Sequence, residues 1–153
     1  MSKREPDAGV EGPMARRSTH FTCEENVMKF MFVIYHDENV LDAMPEKEMQ
    51  ALVDSAIEYA EEIRRSGHYL ASDALQRTQT ARTVRIRAGK ASTTVGPFVE
   101  TKEQLGGFFV IEARDMDEAC TVAARFPPAR VAVIEIRPVQ ELMHSRDRRG
   151  LPS

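Results

Sequence analysis

Apolar and polar positions follow one another along this chain in periods that change in a readable order. Phe30-Met31-Phe32-Val33-Ile34-Tyr35 is a short apolar run, the pattern of a central strand. Pro45 sits where a helix can begin, with Glu46 and Glu48 in the first turn. Met49, Leu52, Val53, Ala56, Ile57, Ala60 and Ile63 recur at helical spacing and predict the inner face of a long helix. Arg64 and Arg65 suit its negative end, and Gly67 stops it. His68-Tyr69-Leu70-Ala71 predicts a short strand. Thr83 to Arg87 alternates with period two, as a half-exposed strand does, and Ala91 to Val95 is its hairpin partner. Gly107 to Ile111 predicts a buried strand. Asp115 caps a second helix, and Glu118 three residues on completes a capping-box pattern. Met116, Ala119, Cys120, Ala123 and Phe126 are expected on its inner face, with Cys120 as a buried structural thiol. Pro127-Pro128 ends that helix, and Val131 to Ile136 is the last strand.

The order is therefore β-α-β, a β hairpin, then β-α-β. That is the ferredoxin-like plan of the α+β class, an antiparallel sheet with two helices on one face. Strands apolar on both sides leave the other face in need of cover, and a second copy of the chain is the simplest cover. Residues 1–27, with scattered glycine, proline and charge, read as a flexible arm, and residues 140–153 as a short basic tail. The folding unit is residues 28–139, and Met28 would serve equally well as a start.

Composition then removes several classes of function. Lys+Arg 21 against Asp+Glu 24 leaves a formal charge of -3, so no basic excess exists for direct nucleic-acid binding. No apolar run approaches the ~18 residues of a membrane span, and nothing near the N-terminus resembles a secretory signal. Cys23 and Cys120 are too few for a disulfide framework or a cysteine-rich zinc site. A cytoplasmic protein without metal or cofactor is the expectation. No phosphate-binding glycine loop, zinc-protease helix or nucleophile elbow is present to alter it.

Three segments remain as candidates for chemistry. In Gly96 to Gly107, Glu100 could accept a proton or bind a cation, Lys102 could hold an anion, and Glu103 adds a second acid. Gly106-Gly107 permits a bulge or a close backbone approach. His36-Asp37-Glu38 follows the first strand, where His36 could meet a ligand or simply lie in a surface loop. His68 could act as a general base with Asp73, although five residues of straight strand would point the two to opposite faces.

Gly96-Pro97-Phe98-Val99-Glu100-Thr101-Lys102-Glu103-Gln104-Leu105-Gly106-Gly107-Phe108 resembles the signature of the YCII-related proteins. The likeness is to the subgroup named for an Asp-Gly-Pro-Phe-Ala-Glu-Thr-Lys-Glu motif. It extends through Met28-Lys29-Phe30, Arg65 to Ser72 and Ile134 to Pro138. The resemblance implies a ferredoxin-like fold that pairs as a dimeric α+β barrel. Some members of the family stand beside sigma factors, and others are proposed enzymes with a His–Asp pair. Counted from Gly67, that pair falls on Ala56 and Arg65 here, and neither side chain can do proton chemistry. The motif's leading Asp is Val95 and its Ala is Val99. Two functions are thus expected to compete. One is a dimeric small-molecule-binding or regulatory module, rimmed by Glu100, Lys102 and His68 and linked to sigma-factor transcription control. The other is a small enzyme using His68 with a nearby carboxylate, Asp73 or Glu100.

Overall fold

The computed structural model describes residues 27–143, so the arm expected over residues 1–27 lies outside the described residues but for Val27, and the tail expected over 140–153 lies outside them from residue 144 on. Strand β1 (Met28–His36) places Phe30, Phe32 and Ile34 on one face and Met31, Val33 and Tyr35 on the other. A short helix α1 (Glu38–Asp42), not anticipated from apolar spacing, follows. Asp37 caps it by accepting from the Asn39 backbone N–H, 2.9 Å. Helix α2 (Glu46–Arg65) runs between Pro45 and Ser66, and Gly67 beyond it has φ +83°. Then come β2 (Tyr69–Ala74), β3 (Arg82–Arg87), β4 (Lys90–Val95), β5 (Gln104–Ala113), α3 (Met116–Ala124) and β6 (Ala132–Pro138).

Four strands form one antiparallel sheet in the order β2-β5-β1-β6. This is the ferredoxin-like arrangement, with the β3–β4 hairpin inserted between its second and third strands. The core lies between one sheet face and helices α2 and α3. It contains Phe30, Phe32, Phe109, Ile111, Tyr59, Ile63, Val122 and Phe126. Tyr59, Phe109 and Phe126 meet edge-on, with ring centroids 5.2 to 5.7 Å apart. The Tyr59 hydroxyl donates to the Val122 carbonyl at 2.7 Å, which ties α2 to α3. Burial pushes the Tyr59 phenol up to about 12, against a smaller opposing effect of Arg125.

Three expectations are corrected. Cys120 and Met116 are exposed, while Ala119, Ala123 and Phe126 face inward as expected and Val122 joins them. The inner stripe of α2 is Leu52, Tyr59 and Ile63, while Val53 is 44% and Ile57 55% exposed. The β3–β4 hairpin is exposed on both faces, with Val84 at 62% and Ile86 at 65%, because it bonds only to itself as a separate two-stranded sheet.

Candidate functional site

Small side chains on facing elements leave a space in the fold. Ala56 and Ala60 of α2 look across to Ala74 of β2 and to Gly106-Gly107 of β5. The result is a cavity of about 740 Å³, open on one side. Ile34, Leu52, Val53 and Ile57 give it apolar walls. Its polar groups come from the end of β1, from β2 and from the segment 76–80, chiefly His36, Arg77 and Gln79.

Glycines set the position of His36. The pairing of β1 with β5 shifts between Ile34 and Tyr35, so that Ile34 faces Gly107, Tyr35 faces Leu105, and Gly106 is the extra residue of a bulge. A Cβ on Gly106 would fall 2.6 Å from His36 Nε2, and closer still to Cε1 and Nδ1. The His36 ring thus occupies the space where a side chain at 106 would stand. A Cβ on Gly107 would lie 2.9 Å from the Asp73 carbonyl oxygen, which is the close backbone approach that the paired glycines imply.

Among the described residues, the His36 ring has no hydrogen-bond partner. Burial, then the nearby Arg77 charge, holds its pKa below the usual histidine range, with Glu38 opposing. A neutral ring with one donor and one acceptor therefore borders the cavity. Arg77 donates through Nη2 to Asp42 Oδ1 at 2.6 Å. Glu38 accepts from the Thr78 backbone N–H at 2.8 Å and from the Thr78 hydroxyl at 3.0 Å. These bonds strap the segment after β2 onto α1. The Leu75 N–H, donating to the Gly106 carbonyl at 2.8 Å, fastens it to β5 as well.

The other sequence candidates lie elsewhere. Glu100, Lys102 and Glu103 are exposed, and none lines the cavity. Their loop is held by its neighbours, since Gln104 Nε2 donates to the Thr101 carbonyl at 2.7 Å while Gln104 Oε1 accepts from the Glu38 N–H at 3.2 Å. Asp73 pairs with Phe108 and borders the cavity. His68 stands before β2, five residues away and about 16 Å along an extended strand. The structure does not bring His68 together with Asp73 or Glu100.

The carboxylate beside His68 is Glu118, whose Oε1 is 3.4 Å from Nε2. Nδ1 of the same ring is 2.7 Å from Ser66 Oγ, and that oxygen is 3.0 Å from the Ile63 carbonyl oxygen. The one Ser66 hydroxyl proton serves either the Ile63 carbonyl or His68 Nδ1, according to the histidine tautomer. The group joins the end of α2 to the start of α3, outside the cavity. Glu118 also accepts from the Arg114 backbone N–H at 2.7 Å and from Arg114 Nε at 3.2 Å. Arg114, through its backbone N–H first and its side chain second, holds the Glu118 carboxyl at about 2, with His68 adding less.

This depression has a sign in stability. A carboxylate held below its ordinary 4.5 stabilises the fold fully above that pH, and the contribution disappears as pH falls from 4.5 to about 2. Glu118→Gln should accordingly lower the urea midpoint at pH 7, with the gap from wild type closing across that acid window. A gap of constant size from pH 7 to pH 2 would contradict the assignment.

Sequence reasoning missed Arg77 and Asp42. Their pairing spans 35 positions and leaves no local signal. It did single out His36 and Gly106, the glycine beside its ring. Ala56 lines the cavity, whereas Arg65 does not. Among the described residues no cluster of His, Cys, Asp and Glu is arranged to hold a metal, and no helix is long and apolar enough to cross a membrane.

A family model for the YCII-related domain matches residues 28–143. An uncharacterised protein of Rhizobium meliloti (strain 1021) is 31% identical over 114 residues, covering 73% of this chain and 92% of the relative.

Proposed function

The chain belongs to the YCII-related domain family, and we propose that this member is a small-molecule-binding, regulatory module whose ligand occupies the cavity beside α2. The observation that carries the reading is an apolar cavity of about 740 Å³ bordered by a histidine with no hydrogen-bond partner among the described residues. Cavities of roughly 300–1,000 Å³ with apolar walls and a few polar groups are the usual form of a ligand site. Regulation beside a sigma factor is the finer part of the proposal, and it rests on the family resemblance. Enzymatic use of His68 is the weaker reading, since its ring is stapled between Ser66 and Glu118 away from the cavity.

A thermal-shift screen with a metabolite library tests the function. A ligand that binds only the folded chain raises the melting temperature by mass action, equivalent to ~2.7 kcal/mol at a hundred times its dissociation constant. Ala56→Phe fills the cavity and should abolish the shift while the ligand-free melting temperature stays within a few degrees. His68→Ala and Glu100→Gln should leave the shift intact. A hit that survives Ala56→Phe but is lost in either of those variants would move the site to the loop or to His68.

The unit is proposed to be a homodimer in the cytoplasm. Met31, Val33 and Tyr35 share a sheet face with Phe108 and Val110 by strand register, and the helices cover the other face. A second copy would bury that face. Light scattering at micromolar concentration should give twice the chain mass. Val33→Asp, which puts a charge at the centre of the face, should halve it. A monomeric wild type would remove the dimer from the proposal.

A further inference from the structure

We propose that the cavity is a site for a monocarboxylic acid with an apolar body, whose carboxylate meets Arg77 and His36. The inference rests on the cavity being the ligand site and adds the chemical class. The walls set the body of the ligand. Ile34, Leu52, Val53, Ile57 and Phe109 give a sugar or a nucleotide base few partners, and polar groups buried without partners are costly.

The polar border sets the head group. Arg77 is the one cationic side chain among the lining residues. Its Nη2 is committed to Asp42, while the remaining donors of the guanidinium have no protein acceptor among the described residues. A guanidinium favours planar oxygen pairs, as in a carboxylate. His36 adds a neutral N–H and carries no competing charge. Of the acids nearby, Asp42 is paired with Arg77, Glu38 accepts two bonds from Thr78, and Asp73, in register with Phe108, falls by that register on the sheet face away from the helices. One partly neutralised cation matches one negative charge, which argues against a phosphate ester or a dicarboxylate.

The test uses three probes with the same eight-carbon body, namely octanoate, octanol and octanamide, titrated into the full chain by calorimetry. Octanoate is expected to bind about tenfold more tightly than the neutral pair, the size of one charge-assisted hydrogen bond. Arg77→Gln should remove that preference and leave octanol binding unchanged. Asp42→Asn should act in the opposite direction, because a guanidinium released from its protein partner is freer to meet the ligand. This opposite shift keeps the inference falsifiable if Arg77→Gln folds poorly. Equal binding of acid and alcohol, or a preference that survives Arg77→Gln, would overturn the acid class and leave the cavity as a ligand site. Binding of none of the three by a folded wild type would overturn the acid class. If the library screen is also empty, the cavity reading falls with it.

Discussion

Phe109→Ala is expected to lower unfolding stability by about 3–5 kcal/mol, the range for deleting a buried aromatic ring. Phe109 is the junction of the core. Its ring lies 5.7 Å from Tyr59 and 5.5 Å from Phe126, and Tyr69 is 6.5 Å away on β2. It also borders the cavity, so its removal would enlarge that space. Against a total of about 5–15 kcal/mol for a domain, this is a fifth or more of the stability. Urea unfolding followed by circular dichroism measures it. A loss below ~1 kcal/mol would mean that the aromatic cluster does not hold α2 and α3 to the sheet.

The parts of this fold that were legible in sequence are those where one periodicity has one structural outcome. The β1 run and the Gly107–Ile111 run both became central strands, and Asp115 with Glu118 capped α3 through the bond from the Glu118 N–H to Asp115 Oδ1, 2.8 Å. Gly106-Gly107 foretold both a bulge and a close approach, and each glycine serves one of them. Helical spacing did less well at choosing between adjacent stripes. In α3 the expected face of Met116, Ala119, Cys120 and Ala123 is rotated so that Val122 replaces Met116 and Cys120 in the core, in keeping with the bond from Tyr59 to the Val122 carbonyl. Tyr59, absent from the expected stripe, lies seven residues after Leu52 and four before Ile63 and is buried with them.

The candidate site was less legible, for a related reason. Val53 and Ile57 fit the apolar stripe of α2, and their exposure comes from the cavity beside them. A cavity is a property of facing elements, here Ala56 and Ala60 against Ala74, Gly106 and Gly107, and no local window contains it. The polar signature Glu100-Thr101-Lys102-Glu103 drew attention by its density of charge, yet its charged side chains face solvent. Its structural contribution comes from Gln104, which ties the loop to α1, and from the glycines that follow. The short helix α1 carries no buried residue, so it left no apolar period to read.

Gly106→Ala should be the most damaging single methyl that can be added at the site. The new Cβ would stand within the volume of the His36 ring, so the ring must leave. Its way out is toward the cavity that it borders, because the backbone on the other side is fixed. Gly106 is buried in the bulge, the β1–β5 pairing holds both backbones, and the ring is already half-buried. Overpacking of this kind costs about 1–3 kcal/mol, and binding of a ligand that uses His36 should weaken along with stability. The cause can be isolated by a double-mutant cycle. His36→Ala removes the ring, so Gly106→Ala on that background should cost much less than on the wild type. The coupling between the two changes should reach at least ~1 kcal/mol, as expected for residues in direct contact. Additive losses would mean that the bulge accommodates Cβ without moving His36, and that glycine at 106 serves the turn of the backbone alone. Gly107→Ala is the control, because its Cβ would meet the Asp73 carbonyl at 2.9 Å, so its cost should be indifferent to His36→Ala.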